Sequence, residues 1–76
     1  MQVDILTPDT ALFSGEASVV SLPGVNGSFQ ILNNHAPIIS ALAKGNVVVK
    51  TIEGEKTFAI NSGIVEVLKN KIVILA

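Results

Sequence analysis

Residues 46–75 read NVVVKTIEGEKTFAINSGIVEVLKNKIVIL. β-branched and aromatic residues crowd into runs of five to seven, and turn formers separate the runs at short intervals, the pattern of strands rather than helices. The run divides into strands Asn46–Ile52, Lys56–Asn61, Gly63–Leu68 and Lys71–Leu75. Glu53-Gly54 reads as a turn in which glycine takes a positive φ. Asn70, between Lys69 and Lys71, suits a tight reversal through the left-handed region. The first half repeats the pattern, with strands expected at Val3–Leu6, Ala11–Phe13, Glu16–Leu22, Ser28–Leu32 and Ile38–Ala43, and turns at Pro8-Asp9, Pro23-Gly24 and Asn26-Gly27. Helical periodicity is sustained nowhere. The fold expected is all-β, a small antiparallel β-sandwich or flattened barrel of about eight to ten short strands, with residues 1–76 as a single domain.

Alternation assigns the faces of some strands. Phe29 and Ile31 point one way while Ser28 and Gln30 point the other, and Phe58 and Ile60 alternate with Thr57 and Ala59. Phe29, Ile31, Phe58, Ile60 and Val67 are therefore expected in the core. Three other segments are apolar on both parities: Val47-Val48-Val49, Ile64-Val65 and Ile72-Val73-Ile74-Leu75. A sandwich buries one face of each sheet, so the surplus is covered either by tight closure of a small barrel or by another protein.

Composition excludes several classes. With 5 basic and 6 acidic residues, a net charge of -1 and only three aromatics (Phe13, Phe29, Phe58), the chain has neither the basic footprint nor the stacking platforms of a nucleic-acid binder. There is no cysteine, so no disulfide framework or thiolate metal site is available, and a reducing compartment is expected. Hydrophobic residues make up 49% of the chain. Even so, the longest apolar run, Ile72–Ala76, is far short of the roughly 20 residues that span a bilayer as a helix. Asp4, Pro8 and Asp9 interrupt any secretory h-region. No direct membrane insertion is expected.

Catalytic constellations are missing. His35 is the one histidine, in Asn34-His35-Ala36-Pro37, and no carboxylate stands at ligand spacing from it. Ser62 lacks the preceding glycine of a nucleophile elbow. Glu53 and Glu55 flank Gly54 as a solvated hairpin tip. No glycine-rich run has the spacing of a phosphate-binding loop. The expectation is a protein that is not an enzyme, with no metal, cofactor or small-molecule substrate. A biotinyl or lipoyl carrier domain, another small β module, is the alternative, with Ala43-Lys44-Gly45 as the nearest approach to its modified-lysine turn; a generic interaction module is a further one.

Residues 22–37, LPGVNGSFQILNNHAP, resemble the signature segment of the epsilon subunit of F-type ATP synthases: a Leu-Pro-Gly turn, a Gly-Glu-Phe/Leu-Gly-Ile-Leu strand, then Pro-Gly-His-Ala-Pro. VDILTPDTALFSGEASVV (3–20) is similar to that family's opening strands, Phe13-Ser14-Gly15 matching a recurrent Phe-Ser-Gly. Ser62–Val67 and Lys71–Ala76 resemble its Ser-Gly-Gly-Phe-Val-Glu-Val and final strand. The resemblance implies a non-catalytic rotor subunit on the central stalk, beside gamma and over the polar loops of the c-ring, at the cytoplasmic face of a bacterial membrane. It implies a protein interface through Asn26, Ser28, Gln30, Asn33 and His35. Ser28 stands where the family usually has Glu, Gln30 where it has Gly, and Asn33-Asn34 where it has Pro-Gly, so a charge pair made by that acid is not expected of Ser28. Family members commonly continue into a helical hairpin that inhibits ATP hydrolysis and in some binds ATP; no hairpin function is expected of these 76 residues.

Overall fold

The computed structural model describes all 76 residues. It contains nine strands and no helix: β1 Gln2–Leu6, β2 Ala11–Glu16, β3 Val19–Gly24, β4 Gly27–Leu32, β5 Ile38–Leu42, β6 Gly45–Thr51, β7 Gly54–Ile60, β8 Gly63–Leu68 and β9 Lys71–Leu75. Every expected strand is present; the turns expected at Asn26-Gly27 and Glu53-Gly54 fall one residue earlier, so that Gly27 opens β4 and Gly54 opens β7, and two boundaries move further. Glu16 closes β2, where it pairs with Gln2, instead of opening β3. The chain then passes through buried Ala17, whose N–H donates to the Met1 carbonyl at 2.9 Å, before β3 begins. Pro23-Gly24 is not a turn but the end of β3, and the reversal is made by Val25-Asn26. Pro23 is tolerated inside a strand because β3 changes neighbours there. Val19–Ser21 pair with β6, Gly24 bridges Leu42 of β5, and Pro23 between them has no N–H to contribute.

The strands form one strongly folded sheet in the order β2-β1-β9-β8-β5-β3-β6-β7, with β4 attached to β3. The single residue pair between β3 and β5 is the corner at which β4-β3-β6-β7 folds over β5-β8-β9-β1-β2. All pairs are antiparallel except β1 with β9, which run parallel. At the opposite margin β2 and β7 meet through side chains, Phe13 against Phe58 with centroids 5.8 Å apart and the Lys56 ammonium 5.7 Å from the Phe13 ring. The result is a nearly closed sandwich.

Its core holds 15 buried residues, all apolar. Val20, Leu22, Ile31, Val47, Val49 and Ile60 come from one layer; Val3, Ile5, Leu42, Val65, Val67, Ile72 and Ile74 come from the other. Ile31, Ile60 and Val67 are buried as expected, while Phe29 and Phe58 are half-buried and pack against the margin of the core. Each fully buried Val or Ile contributes roughly 1.5–3 kcal/mol of transfer free energy.

Two hairpins use the same device. Neither Val25-Asn26 nor Ile52-Glu53 has a positive φ, and the following Gly27 (φ +126°) and Gly54 (φ +117°) take the conformation that lets right-twisted strands continue past such a turn. The β8–β9 hairpin solves the problem differently, with Lys69 (φ 51°) and Asn70 (φ 60°) both left-handed.

Candidate interaction surfaces

The polar residues singled out in the sequence lie along one strand rather than in one patch. Asn26 sits in the β3–β4 turn, Ser28 and Gln30 are exposed on the outward side of β4, and Asn33 and His35 occupy the loop at the opposite end. At roughly 3.3 Å per residue, Asn26 and His35 are on the order of 20 Å apart. Gln30 donates to the Ser21 hydroxyl (3.2 Å) across the β3–β4 pair. Asn33 turns its side-chain carbonyl inward to accept from the α-amino group of Met1 at 2.7 Å. That amino group also donates to the Ala17 carbonyl (3.0 Å) and lies 3.1 Å from a Glu16 carboxylate oxygen.

His35 is exposed, its Nδ1 lying 2.7 Å from the Ala36 carbonyl. Its loop faces the β8–β9 turn, and Asn34, His35, Ala36, Pro37, Leu68, Lys69 and Asn70 line a shallow groove between them. No group of three or more His, Cys, Asp or Glu side chains stands together. Lys44 lies in the short connection from β5 to β6, and these strands belong to different layers. That is unlike the hairpin tip on which a carrier domain displays its lysine.

A second surface is built by register. On the outward face of the layer β5-β8-β9-β1, Ala41 pairs with Ile64, Ile64 with Leu75 and Leu75 with Leu6. Leu6 in turn stands opposite Ala11 of β2, where the ladder slips at a bulge. This places an apolar row across the sheet at the end away from His35, with Ile64 42% and Leu75 50% exposed. The next row toward His35 mixes Ile39, Glu66, Val73, Asp4 and Ser14. Asp4 accepts from the Ser14 hydroxyl (2.7 Å) and the Gln2 amide (3.1 Å). These bonds, Ser14 first, hold its carboxyl below the ordinary range, with a smaller contribution from Lys71 at 3.9 Å. Double apolarity in β8 and β9 marked Ile64 and Leu75 in the sequence. Ala41 and Leu6 carried no such mark, since only the pairing order sets them beside the other two.

The comparisons with known proteins agree with one another. The family profile of the ATP synthase delta/epsilon chain β-sandwich domain matches residues 1–76. The ATP synthase epsilon chain of Chlorobaculum tepidum is 45% identical over 74 residues, covering 96% of this chain and 84% of that one. The epsilon chain of Salinibacter ruber is 39% identical over 85 residues, covering 100% of this chain and 57% of its own length. The chloroplastic epsilon chain of Tetradesmus obliquus is 41% identical over 76 residues, covering 100% and 56%. The chain thus spans little more than half of two of these relatives. In fold it is similar to a chain of the Euglena gracilis mitochondrial ATP synthase (TM-score 0.89, 18% identity, 97% of this chain and 48% of that one). It is also similar to a chain of the Tetrahymena thermophila mitochondrial ATP synthase central stalk and c-ring (TM-score 0.82, 18% identity, 97% and 60%). With nine strands and no helix, and a family match from the first residue to the last, the chain belongs to the ATP synthase delta/epsilon chain family, to its β-sandwich domain.

Proposed function

We propose that this chain acts as a non-catalytic central-stalk subunit of a proton-translocating F-type ATP synthase, joining gamma to the c-ring so that ion flow is coupled to ATP synthesis. In this reading it is peripheral, held by the complex at the cytoplasmic face of a bacterial membrane. The apolar row Ala41–Ile64–Leu75–Leu6 carries the reading. A row of this kind on the outside of a sheet whose inner face is already packed serves no purpose in the domain's own core, and its natural occupant is another protein. We assign it to gamma. The polar loop Asn33–Pro37 at the other end of the sandwich is assigned to the polar loops of the ring. The separation supports the reading, because a coupling element needs two surfaces that do not compete. Asn26 then lies at the gamma end, and Ser28 and Gln30, along β4, lie between the two contacts instead of forming the ring contact.

Two neighbouring residues test the assignment. Ile64 points outward and Val65 is fully buried. Ile64→Glu is expected to leave the thermal unfolding of the free chain nearly unchanged, since surface substitutions usually stay within about 0.5 kcal/mol. It is expected to weaken gamma binding by several kcal/mol, the usual order for an unpaired charge at an interface core. Val65→Glu is expected to unfold the chain. Unchanged affinity of Ile64→Glu for gamma would place that partner elsewhere. Failure of the wild-type chain to capture gamma and ring subunits from detergent-solubilised membranes would reject the rotor reading as a whole.

A further inference from the structure

We propose that Asn70 is a positioning residue. Its side-chain carbonyl fixes the Asn33–Pro37 loop in the shape that displays His35 to the ring. The proposal rests on the assignment of that loop to the ring, made above.

The geometry is specific. The Asn34 N–H donates to Asn70 Oδ1 at 2.8 Å, across 36 positions of sequence. The Asn70 main-chain carbonyl accepts from the Gln2 N–H at 3.2 Å, so the residue that holds the loop is itself tied to β1. Within the loop the His35 N–H closes back on the Leu32 carbonyl at 3.2 Å. Three non-glycine residues in the chain have positive φ, Asn34 (62°), Lys69 (51°) and Asn70 (60°), and all three lie in these two facing turns. An L-residue in this region costs roughly 1–2 kcal/mol, less for Asn, and such strain persists where surrounding contacts over-determine it.

What the strain supports is not the core. Asn33, Asn34, His35, Ala36 and Pro37 are all exposed, so fixing the loop buries no apolar surface of its own. The effect of the Asn34–Asn70 bond is on the loop's shape and on the groove it shares with Lys69. Position 70 needs a residue that tolerates the left-handed region and also carries an acceptor one carbon beyond Cβ. Glycine meets the first requirement only; aspartate meets both, and Lys69 and Lys71 beside it would accommodate the added charge.

The test compares wild-type, Asn70→Gly and Asn70→Asp chains. It measures thermal unfolding, amide hydrogen exchange at Asn34, and affinity for the c-ring purified in detergent from the same organism's ATP synthase. Asn70→Gly is expected to lower the melting temperature by only a few degrees, the scale of one exposed hydrogen bond, because the turn retains its φ. Exchange at Asn34 should accelerate, and ring affinity fall, each by roughly five- to tenfold, the scale of one hydrogen bond. Asn70→Asp is expected to restore both. Wild-type exchange and affinity in Asn70→Gly would overturn the proposal by reducing Asn70 to a turn former. A collapse of the fold in Asn70→Gly, or unrestored exchange in Asn70→Asp, would also overturn it, as the mark of a general stability residue. A wild-type chain that does not bind the ring counts against the ring assignment, and exchange at Asn34 alone then decides the role of Asn70.

Discussion

Asp4 shows how a single residue is made legible by its neighbours. In the sequence it was an isolated acid. In the structure it accepts from Ser14 of the adjacent strand and from Gln2 two residues back on the same face. Both bonds favour the charged form and hold the pKa below its ordinary value. The linkage has a definite sign. A carboxylate whose folded pKa is depressed contributes stability that is fully present above its unfolded pKa and is lost as pH falls through the folded one. Asp4→Asn is therefore expected to lower stability at neutral pH. The loss should be no more than about 1 kcal/mol, because solvent reaches the group and the Lys71 contact is long. The difference from wild type should vanish once the pH lies below the folded pKa. Urea titrations of both chains at neutral and acid pH measure this, and a difference that persisted at acid pH would show that shape, not charge, is what Asp4 supplies.

At the scale of the element, hairpin chemistry explains which turns were legible. Asn26-Gly27 and Glu53-Gly54 were recognisable because glycine follows the turn in both, and both glycines do take positive φ. Gly54→Ala is expected to destabilise by roughly 1–2 kcal/mol, since the Cβ meets no neighbour and the whole cost lies in the backbone. Ile52→Ser in the same turn should cost nearly nothing, because Ile52 is fully exposed. Chemical denaturation of the two variants separates backbone strain from side-chain burial. Pro23-Gly24 misled for a physical reason. A proline next to a glycine has the local chemistry of a turn, yet Pro23 lies where β3 passes from β6 to β5 and its missing N–H is not needed. That change of neighbour is a property of the sheet, and no local signal encodes it. The residues proposed for the interface follow the same logic: the segment Asn26–His35 could be read as polar, but its extension over the full length of β4 depends on Gly27–Leu32 being one uninterrupted strand.

For the molecule as a whole, alternation fixed the faces of the strands while their order stayed hidden, because pairing joins residues far apart in sequence. The parallel pair β1–β9 brings the first and last strands together and completes both the core and the outward apolar row. Ile74 and Leu75 show the two uses of one strand. Ile74 pairs with Ile5 and is fully buried, whereas Leu75 pairs with Leu6 on the outside and is 50% exposed. A core of this size rarely supplies more than roughly 3–5 kcal/mol of net stability. Ile74→Ala, which removes about 2–5 kcal/mol from a closed apolar interior, is therefore expected to take away half or more of the free chain's stability and to lower its melting temperature sharply. Leu75→Ala should cost well under half as much, since half of its side chain already faces water, and its effect should fall on gamma binding. Circular dichroism melts set beside gamma affinities read both quantities. If Ile74→Ala remained folded with an unchanged melting temperature, the β1–β9 junction would not be the centre of the core. If Leu75→Ala destabilised the chain as much as Ile74→Ala, the outward row would belong to the domain's own packing and gamma would have to bind elsewhere.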